Sequence, residues 1–164
     1  MFVKYDVQKE LGIILLHNHF PLSPTEILVQ FHNAAVPWET ERNKADLKHV
    51  NTTAWRFVND GIPPWEFTYS SPIEGAPIPS LESKRYSDFL IELYSILAKR
   101  KLLDILGLVV IEEPDIDAPA TVEVEFGRLT ITLDVDVDPQ EDDGFIEVIW
   151  QFGTRRGKLR GILG

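Results

Sequence analysis

Residues 121–137 read TVEVEFGRLTITLDVDV, and two runs of alternating apolar and polar residues flank the dipeptide Gly127-Arg128. A two-residue turn that begins with glycine, placed between two such runs, is typical of an antiparallel hairpin. Counting outward from the turn, Phe126 faces Leu129 on one side of the hairpin, and Glu125 faces Thr130 on the other. Since this register is consistent on both sides, we expect an apolar face in the core and a polar face in solvent.

A single long helix is predicted from about Leu81 to Leu103, because apolar residues recur there at helical spacing. Ser80 is the expected N-cap of this helix, and Gly107 is the expected stop before a strand with the sequence LVVI. The residues that form the apolar stripe are Tyr86, Phe89, Leu90, Leu93 and Leu97.

Several further strands are predicted from short apolar runs between turn signals. Residues 11–20 (LGIILLHNHF) are expected to form a buried strand that makes a hairpin with a second strand, residues 27–36. Between them, Ser23 and Glu26 have the spacing of a capping box, which indicates one helical turn. Other predicted strands are residues 53–58, 65–69 and 145–152.

These elements predict an α+β fold, in which a mostly antiparallel sheet of about seven or eight strands curves around one long amphipathic helix. The chain of 164 residues is expected to be one globular domain, residues 1–164. Its last segment, 154–164, carries Arg155, Arg156, Lys158 and Arg160 and no acidic residue. This basic tail is expected to fold back onto an acidic face or to be flexible; the alternative is that it docks an acidic partner.

The composition excludes several classes of protein. There is no cysteine, which rules out disulfides and thiolate metal sites, and the formal net charge is −10. Such a surface repels phosphate backbones, so we expect no nucleic-acid partner. There is also no apolar run long enough to cross a membrane and no signal-peptide pattern at the N-terminus. The expected protein is therefore soluble and cytoplasmic, without a membrane partner.

Three histidines are candidate ligands of a divalent metal such as zinc. His17 and His19 are two residues apart on a predicted strand, so their side chains share one face. If Leu15 lies opposite His32 in the predicted first hairpin, His32 joins them; a shift of one residue moves it to the other face. Three imidazoles around one ion resemble catalytic zinc or iron sites, to which Glu26 or Glu39 could add a carboxylate. The competing interpretation is that these histidines are hydrogen-bonded core residues.

Aromatic residues offer a second candidate site. Trp38, Trp55 and Trp65 are candidate lining residues of an apolar ligand cavity. The competing interpretation is core packing, since large rings dominate the energetics of protein cores.

Two short segments resemble a group of small uncharacterised fungal proteins. They are the LLHxHF strand, here Leu15-Leu16-His17-Asn18-His19-Phe20, and the segment Pro64-Trp65-Glu66-Phe67. That group has no assigned activity, so the resemblance implies no function.

Two functions therefore remain open. The first is a small module that binds an unidentified small molecule or protein partner. The alternative is a small metal-dependent or acid–base enzyme with a histidine-centred site on the first hairpin. The chain lacks the GxGxxG, GxxxxGK, GxSxG and HExxH motifs, which argues against dinucleotide, P-loop, α/β-hydrolase and zincin chemistry.

Overall fold

The computed structural model describes residues 1–70, 81–111, 120–135, 145–150 and 160–163. In this part of the chain, eleven strands form one mixed sheet, and a single α-helix accompanies it. The strand order is β10-β1-β6-β4-β5-β2-β3-β8-β7-β11-β9. The strands are β1 (Leu11–Leu15), β2 (Glu26–Phe31), β3 (Ala34–Glu39), β4 (Val50–Arg56), β5 (Pro64–Tyr69), β6 (Leu106–Val110), β7 (Ala120–Phe126), β8 (Leu129–Val135), β9 (Phe145–Glu147), β10 (Ile149–Trp150) and β11 (Arg160–Leu163).

The expected fold class is confirmed in its coarse form, a sheet with one helix, but the sheet differs in two respects. It has more strands than the seven or eight predicted, because three short strands of two to four residues add to eight longer ones. It is also mixed rather than antiparallel, since β2 pairs with β5 and β7 pairs with β11 in parallel. Strand β11 comes from the basic C-terminal segment, whose residues 160–163 lie between β7 and β9.

The hairpin predicted around Gly127 is confirmed residue by residue. Phe126 pairs with Leu129, Val124 with Ile131 and Val122 with Leu133 across β7 and β8. Gly127 adopts a φ of 66°, a left-handed conformation that glycine takes without steric cost.

The predicted first hairpin is wrong. Strand β1 pairs with β6 and β10, and β2 pairs with β3 instead. The stretch predicted as one strand, 27–36, is divided because His32 takes a left-handed φ of 54° and turns the chain between β2 and β3. The physical reason is that β1 is apolar on both faces and finds two partners inside the sheet, both distant in sequence.

The helix is shorter than predicted. A 3-10 turn, Lys84–Tyr86, precedes the α-helix α1, Ser87–Arg100. The chain leaves the helix at Lys101, whose φ is 58°, and the amide of Leu102 donates to the carbonyl of Leu97. Gly107 is therefore not the residue that ends the helix, as was expected, but lies within β6. A Cβ at this position would lie 2.5 Å from the carbonyl oxygen of Trp55. The predicted N-cap, Ser80, lies outside the described residues.

Helix α1 packs against the end of the sheet that contains β1 and β6. Its residues Phe89, Leu93 and Leu97 are buried, and they recur every four residues along one face. They share a core with the N-terminal segment, β1, β6 and the residue after β4, through Phe2, Val7, Leu11, Ile13, Phe57 and Leu108. The opposite face of the same strands forms a smaller apolar cluster of Ile14, Ala54 and Val109, with Trp65 and Ile149 beside it.

The two ends of the strand order lie next to each other in the chain. Strand β9 is the last in the order and β10 is the first, yet only Val148 separates them in sequence. Val148 is 1% exposed, and its carbonyl accepts a hydrogen bond from the amide of Leu15. The sheet is therefore curled so far that its two ends meet at this residue. Within the described ranges, no helix is long and apolar enough to cross a membrane.

Candidate functional site

Two histidines lie together just after β1. The segment of residues 16–25 connects β1 to β2, and the amide of Leu16 donates to the carbonyl of Ile105 at its start. Within this segment, Nε2 of His17 and Nε2 of His19 are 3.1 Å apart. Their rings meet edge to face, with centroids separated by 4.5 Å. The predicted pair is therefore brought together by a hydrogen bond between the two Nε2 atoms, in which the tautomers decide which ring donates.

Two glutamates from distant strands lie beside the histidine pair. Oε2 of Glu123, on β7, is 3.5 Å from Nε2 of His17 and 3.8 Å from Nε2 of His19. Glu66, on β5, contributes a carboxylate oxygen that lies within 4.8 Å of the ligand atoms of both histidines. The cluster therefore contains two imidazoles and two carboxylates, which we call the His–Glu site.

The curl of the sheet explains how these strands can share one site. From β5 to β7 the order passes through β2, β3 and β8, which is four steps. At about 4.8 Å per step, a flat sheet would separate the two strands by roughly 19 Å. Glu66 and Glu123 nevertheless both lie beside His17 and His19, so the curl of the sheet brings β5 and β7 closer together than a flat sheet would.

The part of the polar face of the β7–β8 hairpin around Glu123 and Thr130 is turned inward, contrary to the prediction that this face lies in solvent, whereas the side chain of Glu125 is 44% exposed. The side chain of Glu123 is only 13% exposed, and Thr130 is 3% exposed. Oγ1 of Thr130 is buried and has no hydrogen-bond partner among the described residues. A buried polar group of this kind is costly unless a water molecule or an ion satisfies it.

Hydrogen bonds fix the orientation of the His17 ring. Nδ1 of His17 lies 2.9 Å from the carbonyl oxygen of Leu15, which can only accept, so Nδ1 is the donor. In the neutral ring, Nε2 then presents its lone pair to the His–Glu site. Nδ1 of His19 lies 3.4 Å from Oε1 of Glu125, the next carboxylate along β7. His17 thus turns Nδ1 toward an oxygen acceptor and Nε2 toward the site, as metal-ligating histidines do. Nδ1 of His19, by contrast, is buried and has no hydrogen-bond partner among the described residues.

The two histidines differ in their affinity for a proton. Burial opposes protonation of His17, but the carboxylate of Glu123 and the carbonyl of Leu15 outweigh it, and the pKa of His17 is raised. Burial and the neighbouring His17 lower the pKa of His19. A pair in which only His17 is an imidazolium is therefore favoured over a pair in which both rings are, because two imidazolium rings in contact would repel each other.

The spacing of the ligand atoms suits a single metal ion. Two nitrogens bound at 2.0–2.1 Å to one ion are about 2.9 to 3.4 Å apart for angles between about 90° and 109°. The observed 3.1 Å between the Nε2 atoms lies within that range. The oxygen of Glu123 is a few tenths of an ångström farther than a bound ligand would be, a distance that a small rotation of its side chain covers.

The third predicted histidine is not part of the site. Because β1 and β2 do not pair, the register that would have placed His32 beside His17 does not exist. His32 instead occupies the exposed turn between β2 and β3. The two carboxylates suggested from sequence also lie elsewhere, since Glu26 pairs with Arg128 and Glu39 lies near Arg42.

The three predicted tryptophans occupy three different environments. Trp38 packs against Phe31 and Tyr69, and its Nε1 is buried without a hydrogen-bond partner among the described residues. Trp55 is buried in β4, where it pairs with Leu108. Trp65 adjoins the smaller apolar cluster and lies under the guanidinium of Arg56. A ligand cavity lined by all three stays a prediction.

Sequence reasoning missed Glu66 and Glu123. Both residues lie in strands that were predicted, but nothing in a strand's alternation tells which face is inside once a sheet curls. The available signal was the ladder of acids opposite threonines in β7 and β8, Glu123 to Thr132 and Glu125 to Thr130. From the sequence alone, this ladder predicts a solvated face.

No protein-family model, curated protein or solved structure matches this chain. Its function therefore has to be inferred from the geometry of the His–Glu site.

Proposed function

We propose that this protein binds one divalent transition-metal ion through His17, His19 and a carboxylate of Glu66 or Glu123, and that the ion supports its activity. The observation that carries the proposal is the orientation of the two rings. The two Nε2 atoms lie 3.1 Å apart, and Nδ1 of His17 donates to the carbonyl of Leu15, so that the Nε2 of His17 faces the His19 ring. Two lone pairs and two carboxylates at that distance repel each other unless a proton or a cation lies between them.

The ligand types narrow the choice of ion. Imidazole with carboxylate suits zinc, iron and other first-row divalent ions, whereas a site for magnesium or calcium would consist of oxygen ligands. A ligand set of two histidines and one carboxylate leaves positions open for water or substrate. This is the metal-dependent alternative with one change: Glu66 or Glu123, and not His32, supplies the third ligand.

Metal uptake by the purified protein tests this proposal directly. We expect the chelator-treated protein to bind one equivalent of Co(II) or Zn(II), with Co(II) producing visible absorption bands. Ligand binding to the folded state also raises its stability, by about 2.7 kcal/mol when free metal is 100 times the dissociation constant. Thermal unfolding with and without metal measures this gain. If no metal binds and the unfolding midpoint does not move, the proposal is wrong, and the ligand- or protein-binding module becomes the preferred hypothesis.

The affinity for metal is expected to increase with pH and then level off. Below the raised pKa of His17, a proton occupies the position that the ion needs, so binding must displace it. Each unit of pH below that pKa then lowers the apparent affinity about tenfold, and above it the proton is already gone. Co(II) titrations between about pH 5.5 and 8 measure this dependence. An affinity that stays constant over that interval would show that the ion binds elsewhere.

A further inference from the structure

The 16–25 segment, which carries both histidines, is fastened to the hairpin that carries Glu123. Arg128, at the tip of the β7–β8 hairpin, donates two hydrogen bonds to the carboxylate of Glu26, with lengths of 2.5 and 3.3 Å. The same guanidinium donates to the carbonyl of Pro21 at 3.2 Å and lies over the ring of Phe20, 5.8 Å from its centre. Arg128 therefore contacts the two residues that directly follow His19.

Glu26 completes this attachment from the other side. One of its oxygens accepts a hydrogen bond from the amide of Ser23 at 2.8 Å. The spacing of Ser23 and Glu26 predicted a capping box and a helical turn; the reach of Glu26 back to Ser23 is present, but the chain continues into β2. The Arg128 guanidinium and the Ser23 amide lower the pKa of Glu26 to about 2. The carboxylate thus stays ionised, and therefore paired with Arg128, at any ordinary pH.

The partners joined by this contact are otherwise far apart in the chain. Glu26 and Arg128 are 102 residues apart, and the two histidines are about as far from Glu123 in the sequence. The histidines lie in an irregular segment, whereas Glu123 and Glu125 lie in a paired strand that the hairpin holds in register. The position of the imidazoles relative to Glu123 therefore depends on what holds the segment against the hairpin.

We propose that Arg128 is a positioning residue for the metal site, which holds the 16–25 segment so that His17 and His19 meet Glu123. This inference rests on the proposed function. A planar guanidinium binds a carboxylate through two parallel hydrogen bonds and so fixes its direction, which a lysine ammonium does not. Without that contact the segment moves away from the hairpin more readily, and the ion dissociates faster.

Co(II) binding to the full chain tests the role of Arg128. Changing residues that orient metal ligands typically costs 10- to 100-fold in affinity, and we expect about that loss in Arg128→Gln. The loss should appear mainly as faster Co(II) release to a chelator, with changed intensity of the visible bands. Arg128→Lys, which keeps the charge but not the paired geometry, should fall between the wild-type protein and Arg128→Gln.

Two further variants make the result specific. Glu26→Gln should weaken Co(II) binding by no more than Arg128→Gln does, because the contacts of Arg128 with Pro21 and Phe20 stay. The double variant should be no weaker than Arg128→Gln, because that change alone already breaks the contact with Glu26. Arg42→Gln is the matched control: this arginine is 86% exposed near Glu39, and its loss should leave Co(II) binding unchanged.

The outcomes separate this inference from the proposed function. If the wild-type protein binds Co(II) and Arg128→Gln binds and releases it equally well, the positioning role is wrong and the metal site stands. If Arg42→Gln weakens binding as much as Arg128→Gln does, the effect is one of surface charge, and the positioning role is also wrong. If the wild-type protein binds no Co(II), both proposals fail.

Discussion

His19→Asn is expected to lower the affinity of the protein for Co(II) by about 100-fold or more. A structural site with four ligands contributes about 10–16 kcal/mol of metal-binding free energy, or about 3 kcal/mol for each ligand. At about 1.4 kcal/mol for each factor of ten, the loss of one ligand therefore exceeds two orders of magnitude. Asparagine is too short to bring a donor atom to the position of the imidazole Nε2. Isothermal titration or the visible bands of Co(II) measure the loss, and His17→Asn should behave in the same way.

His32→Asn is the matched control for these variants. It makes the same substitution in an exposed turn outside the His–Glu site, at a φ of 54° that asparagine tolerates. We expect its Co(II) affinity to equal that of the wild-type protein. Equal affinity in His19→Asn, His17→Asn and His32→Asn would show that the ion does not bind at these histidines.

Glu66→Gln and Glu123→Gln distinguish the two carboxylates. Replacing the carboxylate that ligates the ion should lower the Co(II) affinity about as much as replacing a histidine does. Replacing a carboxylate that only accepts a hydrogen bond should lower the affinity 10- to 100-fold at most. Equal and negligible effects of both changes would exclude a carboxylate ligand.

Phe89→Ala is expected to destabilise the fold by about 3–5 kcal/mol, the usual cost of removing a buried phenylalanine ring. The ring is fully buried and packs edge to face with Phe2 and Tyr5, with centroid distances of 5.0 and 5.9 Å. In a domain of this size the thermal midpoint should fall by roughly 10 °C. Thermal or urea unfolding followed by circular dichroism measures the change.

Ile91→Ala provides the control on the same helix. Ile91 is 70% exposed on the opposite side of α1, so its loss should change the stability by less than about 0.5 kcal/mol. Similar losses in Phe89→Ala and Ile91→Ala would mean that α1 does not pack against the sheet through Phe89.

Local patterns predicted local structure well. The register of β7 and β8 follows from the turn at Gly127, and the buried face of α1 follows from the spacing of Phe89, Leu93 and Leu97. In both cases the interactions that decide the structure lie within a few residues, so the sequence of one segment contains them.

Pairing between distant segments could not be predicted in the same way. Several apolar strands are possible partners of β1, and β2 is the nearest of them in sequence. The observed partner, β6, lies almost a hundred residues away, with Ile13 opposite Leu108. Burial decides between such partners, because at its place beside β6 one face of β1 packs in the core with α1 and the other in the smaller apolar cluster.

The sequence predicted the two histidines of the candidate site but not its two carboxylates. His17 and His19 are neighbours in sequence, and a separation of two residues was enough to suggest a shared role. Glu66 and Glu123 meet them only because the sheet curls, and no spacing in the sequence encodes that curl. His32 was included on a register that does not occur.

The connection of β9 to β10 through Val148 affects the order in which the sheet can form during translation. During translation, β1 gains its neighbour β6 once residue 110 has been made, but its other neighbour, β10, arrives only with residues 149–150. Pairings between residues so far apart close slowly, because long loops must be ordered first. Until then β1 presents an open strand edge to other nascent chains. The sheet can therefore close only after β10 has been synthesised, and β10 then covers the open edge of β1 against other chains.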